Sequence, residues 1–119
     1  NVINNLVLGR IYGYIRSWEA SERIYKKVLE DAPDNQRVHY YLAKLYLRQM
    51  KYAEAVASID KYLAFPLDDD YKANSLALKG DIYFKQKDYD EANEWYKAAY
   101  KTNKLKRAKN KMDRIKELK

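Results

Sequence analysis

The stretch "LALKGDIYFKQKDYDEANEWYKAAYKTN" (residues 76–103) has two earlier counterparts in the same chain. They are "LVLGRIYGYIRSWEASERIYKKVLEDAP" (6–33) and "YYLAKLYLRQMKYAEAVASIDKYLAFP" (40–66). Aligned, Gly9, Ala43 and Gly80 share a column, as do Tyr12, Tyr46 and Tyr83, then Trp18, Tyr52 and Tyr89. Ser21, Ala55 and Ala92 follow, and after them Tyr25, Ile59 and Tyr96. The offsets are 34 and then 37, with the three extra residues in the loop around "FPLDDD" (65–70). Insertion in such a loop costs little.

Each unit reads as two helices separated by a polar turn, "YIRS", "RQMK" or "KQKD". Three glycines and two prolines in 119 residues argue for helices with short connections over a strand-rich fold. Asp88 and Glu91 have capping-box spacing for the helix that starts at Tyr89. Ser17 is expected to cap the equivalent helix of the first unit, and Asp34 the helix that follows Pro33. Asp68, Asp69 and Asp70 precede another helix start, where negative charge complements the helix dipole. The small residues at Gly9, Ala43 and Gly80, and at Ser21, Ala55 and Ala92, let paired helices approach. The tyrosines fill the space left and send hydroxyls to water or a partner. One such pair cannot bury its face alone, so neighbouring pairs must stack.

This pattern resembles the tetratricopeptide repeat (TPR) family. Leu8-Gly9, Tyr12, Tyr25 and Pro33 carry the resemblance in the first unit. Leu42-Ala43, Tyr46, Tyr52, Ala55 and Pro66 carry it in the second, and Gly80, Tyr83, Tyr89, Ala92, Tyr96 and Ala99 in the third. Ser21, Val28 and Tyr62 stand where the family places alanine, and Lys104 where it places proline. The resemblance implies an all-α, right-handed superhelical solenoid of antiparallel helix pairs, about seven helices in all. Repeats are expected over 1–35, 36–72 and 73–104. Residues 105–119 form a basic helix whose Leu105, Ala108, Met112 and Ile115 make one apolar stripe that caps the stack.

The resemblance further implies a non-catalytic scaffold or adaptor that takes a protein or peptide segment in a groove lined by the first helix of each pair. The groove residues carried over are Leu6, Arg10 and Tyr14, with Ile3 and Gly13 beside them. The second unit contributes Arg37, Tyr40, Lys44, Leu47 and Arg48. The third contributes Asn74, Asp81, Phe84 and Lys85, with Ala77. Cations and aromatic anchors in that set suit a ligand with acidic and apolar residues. The two-carboxylate clamp of chaperone-binding members maps onto Leu6, Arg10, Tyr41, Asn74 and Leu78, of which only Arg10 is basic, so that ligand is not expected.

Catalysis finds little support. The lone histidine, His39, reads as a packing residue, no glycine-rich phosphate loop exists, and the Asp68–Asp70 run lacks the spacing of a calcium loop. No metal or cofactor is expected. Absence of cysteine suits a reducing cytosol without excluding a periplasm, and leaves the compartment open. Residues 97–119 hold ten basic and two acidic side chains, a balance of +8, which leaves −1 for the preceding 96 residues of a chain at +7. This tail offers a rival function, docking nucleic acid or an anionic membrane, although it lacks the aromatics that stack bases. A third possibility is a homo-oligomer, or packing on upstream repeats, because Val2, Ile3 and Leu6 have no preceding repeat to cover them.

Overall fold

A computed structural model describes residues 1–119. It contains seven helices and no strands: α1 (Val2–Tyr14), α2 (Trp18–Asp31), α3 (Arg37–Arg48), α4 (Tyr52–Leu63), α5 (Asp69–Lys85), α6 (Tyr89–Asn103) and α7 (Lys106–Leu118). None is long and apolar enough to cross a membrane. The chain divides into two compact units, residues 1–58 and 59–119, with the division inside α4.

In the first unit α1 pairs with α2, and α3 packs on α2. The small column has the geometric role its size suggests. A Cβ built on Gly9 would lie 2.4 Å from Cε1 of Tyr25, which is itself buried. Ser21, in the repeat column that otherwise holds Ala55 and Ala92, is fully buried and donates its hydroxyl to the Gly9 carbonyl at 2.6 Å. That bond satisfies a polar group that would otherwise be costly to bury. α3 buries Val38, Leu42, Ala43, Leu45 and Tyr46.

In the second unit α5 pairs with α6, and α6 packs on α7. Its core joins Leu76, Ala77, Ala92, Tyr96, Ala99, Ala108 and Ile115, with Leu105 and Met112 against them. The apolar stripe expected on α7 is therefore the face that covers α6. Gly80 repeats the Gly9 geometry: its Cβ would lie 2.7 Å from Cε1 of Tyr96. Lys79, 8% exposed, reaches Asp60 at 2.6 Å and lies 3.9 Å from the Trp95 ring centroid.

Several helix ends depart from the sequence reading. Ser17 stands at the N-cap of α2 but its side chain makes no capping bond. Asp34 does not cap α3. That helix starts later, at Arg37, and the Asn35 carboxamide oxygen accepts from the Val38 N–H at 3.2 Å. Only half of the capping box at α6 forms, since Asp88 accepts from the Glu91 N–H at 3.4 Å while the Glu91 carboxylate accepts from Trp95 Nε1 at 3.2 Å. α5 begins at Asp69, inside the acidic run, with Asp69 and Asp70 in its first turn.

The three polar turns share one construction. Arg16, Met50 and Lys87 adopt φ of 64°, 60° and 62°. After each, an N–H bonds back to the tyrosine of the repeat: Ser17 to the Tyr12 carbonyl at 2.8 Å, Lys51 to Tyr46 at 2.8 Å, and Asp88 to Tyr83 at 3.0 Å. This is the Schellman arrangement, built here without glycine.

Candidate interaction surface

In the first unit, α1 places Arg10 and Tyr14 one turn apart, and α3 places Tyr41, Lys44, Leu45 and Arg48 on one facing stripe. With Gly13, Ser21 and Tyr25 they line a recess of about 230 Å³ that contains no carboxylate. Its cations are seated on aromatic rings. The Arg10 guanidinium lies 5.2 Å from the Tyr41 centroid, Lys44 Nζ 5.6 Å from Tyr40, and the Arg48 guanidinium 5.3 Å from Tyr14 and 5.4 Å from Trp18. Each such contact contributes on the order of 0.5–1 kcal/mol at exposed sites and limits the rotamers of a long side chain. Tyr25 stacks on Tyr41 with centroids 6.1 Å apart and an interplanar angle of 17°. Burial pushes the Tyr25 phenol up to about 12, so the recess keeps a neutral floor. The nearby Glu22 is occupied outside this lining. It accepts from Lys26 at 2.9 Å and from the Tyr46 hydroxyl at 3.0 Å, and the Lys26 bond holds its carboxyl below the usual range.

In the second unit, Asn74 and Asp81 are engaged by α7. Asp81 accepts from the Tyr96 hydroxyl at 2.5 Å and from Arg107 Nη1 at 3.0 Å, and the Asn74 carboxamide oxygen accepts from Arg107 Nη2 at 3.4 Å. Lys111 lies 4.5 Å from the Phe84 centroid, and Phe84 meets Tyr89 edge to face at 5.4 Å. Phe84, Lys106, Arg107, Asn110, Lys111 and Arg114 line a second recess of about 580 Å³, again with no carboxylate.

Of the residues expected in a groove, Arg10, Tyr14, Arg37, Lys44, Arg48 and Lys85 are exposed, while Leu6, Tyr40, Leu47, Asn74, Asp81 and Phe84 are half-buried. Ala77 is fully buried in the core of the second unit and offers no surface. The first unit brings Arg10, Tyr14, Lys44 and Arg48 together; Leu6, Arg37, Tyr40 and Leu47 lie outside the lining of that recess. Lys85 lines neither recess. Sequence reasoning missed Tyr41 and Tyr25 as lining residues, and missed that α7 turns cations toward Phe84 as well as toward water. The one available signal was spacing: Lys106, Arg107, Lys111 and Arg114 fall on one side of a helix whose other side is the apolar stripe. No group of histidines and carboxylates is placed to hold a metal.

The profile of a family described as tetratricopeptide repeat-like domain matches residues 5–117. Among solved structures, the N-terminal domain of stress-induced protein-1 (STI-1) from C. elegans superposes with a TM-score of 0.83 at 21% identity, over 97% of this chain and 94% of that one. PilF of Pseudomonas aeruginosa gives 0.86 at 16% identity over 97% of this chain, and MamA of AMB-1 gives 0.74 at 24% over 99%. The chain spans about half of the PilF structure and under two thirds of MamA, with coverage of 52% and 63%. At these identities the likeness is one of fold. No curated protein sequence matches the chain.

Proposed function

Because the chain belongs to the tetratricopeptide repeat-like family, whose members are generally non-catalytic protein-interaction scaffolds, we propose that it binds a protein segment rich in acidic and apolar residues through its first unit. The observation that carries this reading is the recess between α1 and α3: three cations, Arg10, Lys44 and Arg48, held over aromatic rings around an uncharged floor, with no carboxylate among the lining residues. Pre-seated cations lose little freedom when an anionic side chain arrives. Tyr14, 66% exposed, is the anchor available for an apolar neighbour on the ligand. No step of this function requires chemistry, and we read the chain as a binding protein without catalytic residues.

The test is selection from a random peptide library on the intact chain, followed by titration of the enriched peptides. Enrichment of acidic residues beside aromatic or aliphatic ones is expected. Lys44→Glu with Arg48→Glu should weaken those peptides by tenfold or more and shift enrichment toward basic sequences. Identical enrichment on the double variant would sink the assignment of this recess.

A further inference from the structure

The positive charge of this chain is concentrated. Residues 97–119 carry +8 while the preceding 96 carry −1. Within that tail, Lys106, Arg107, Lys111 and Arg114 line one recess of the second unit with Phe84 and Asn110. Outside the recess, Lys109 pairs with Asp113 at 3.6 Å, and Lys119 pairs with Asp90. Among the four lining cations Arg107 has a carboxylate, Asp81 at 3.0 Å; Lys106, Lys111 and Arg114 have none. An excess of three positive charges therefore sits between residues 106 and 114, roughly 12 Å of helix axis.

Two of these cations are already placed. Arg107 gives N–H donors to Asp81 and Asn74 and keeps the rest of its fork for a ligand. Lys111 stands 4.5 Å from the Phe84 centroid. The arrangement works against local stability. Lys106 and Arg107 open α7 with no acidic side chain in its first turn and no side-chain cap, where the helix dipole disfavours cations. A bound anion relieves both that cost and the repulsion within the cluster.

We propose that this recess binds a compact polyphosphate: a soluble ligand with two or more phosphates inside that span of roughly 12 Å. Charge and donor geometry select the class. A carboxylate brings one charge, so three would have to converge. A terminal phosphate brings up to about two, with three acceptor oxygens that guanidinium forks and an ammonium match. The volume of about 580 Å³ is that of a small-molecule site. A nucleic-acid strand needs free rings on which bases stack, and Phe84, the one ring in the lining, is already engaged by Lys111 and Tyr89. An anionic bilayer takes up basic helices whose apolar face is free to insert, and α7 spends that face on α6.

Inorganic tripolyphosphate titrated into the intact, ¹⁵N-labelled chain at physiological salt tests this. Saturable shifts are expected at the amides of residues 106–114 and at the Asn110 side chain. Citrate, a tricarboxylate, should bind at least about tenfold more weakly. Lys106→Gln with Arg114→Gln should weaken tripolyphosphate by about tenfold or more, and both side chains are exposed, so the fold should stand. Lys109→Gln with Lys116→Gln removes the same charge from α7 outside the recess and should leave affinity within about twofold. Equal weakening by the two pairs would mean diffuse attraction to the basic tail and overturns the proposal. Citrate binding as tightly overturns it, as do saturable shifts confined to the first unit or no saturable shift at all. A chain that binds phosphatidylserine vesicles but ignores tripolyphosphate overturns it in favour of a membrane.

Discussion

Replacing Gly80 with alanine should destabilise the second unit, although alanine is the better helix former. The new methyl carbon would lie 2.7, 2.8 and 3.1 Å from Cε1, Cδ1 and Cζ of Tyr96. Real Cβ contacts are essentially never made at the first two of these distances, so the ring must move. It has nowhere to go: Tyr96 is 0% exposed and its hydroxyl is tied to Asp81 at 2.5 Å. Overpacking of this kind costs about 1–3 kcal/mol, and relief of the glycine helix penalty returns up to about 1 kcal/mol. The net expectation is a loss of about 1–2 kcal/mol, or a fall of roughly 4–8 °C in melting temperature for a chain of this size. Gly9→Ala, facing Tyr25 at 2.4 Å, should behave alike in the first unit. Gly13→Ala is the control. Its nearest neighbour would be Ser21 Oγ at 3.6 Å, an ordinary contact, so propensity alone should stabilise by up to about 1 kcal/mol. Thermal melts followed by circular dichroism on the three variants decide the matter. Gly80→Ala combined with Tyr96→Leu, which removes the obstructing ring, should cost less than the two changes summed. A Gly80→Ala variant as stable as the parent, or strict additivity with Tyr96→Leu, would refute the reasoning.

Burial raises the pKa of Tyr25 and Tyr46 to about 12, and raises that of Tyr96 too, so these phenols keep their protons in the folded chain while the unfolded chain loses them near pH 10. The stability they confer is complete below pH 10 and is lost as pH rises through their folded values, at up to about 1.4 kcal/mol per pH unit for each tyrosine. Denaturant melts between pH 9 and pH 12 should show that slope, and Tyr96→Phe should flatten it. Asp60→Ala should cost about 1–3 kcal/mol by stranding the nearly buried Lys79 ammonium, whereas Lys79→Met, which keeps the stem and removes the charge, should be close to neutral in the same melts. Met50→Gly or Lys87→Gly, at positions held at φ of 60° and 62°, should raise the midpoint of urea unfolding by the equivalent of about 0.5–1 kcal/mol; a lowered midpoint would mean the left-handed turn is not strained.

The sequence by itself determined the helix count, the pairing and most of the core, because a repeat states each packing rule three times. Gly9 with Tyr25 and Gly80 with Tyr96 were legible as small-against-large columns, and α7's Leu105, Ala108, Met112 and Ile115 as a buried stripe, since helical spacing alone fixes which residues share a face. Helix caps were less legible. Ser17, Asp34 and Asn35 all had the right chemistry, and backbone geometry at each end chose among them. What only the tertiary structure decided is which side chains meet across helices that are distant in sequence. It seated Arg10 on Tyr41 and Arg48 on Tyr14, took Asp81 and Asn74 into the hold of Arg107, sank Lys79 beside Trp95, and left Ile3, Val7 and Ile11 facing water. Periodicity tells a residue's side of its own helix. It does not tell what stands opposite, and for a binding surface that second fact sets the charge, the stacking and the openness.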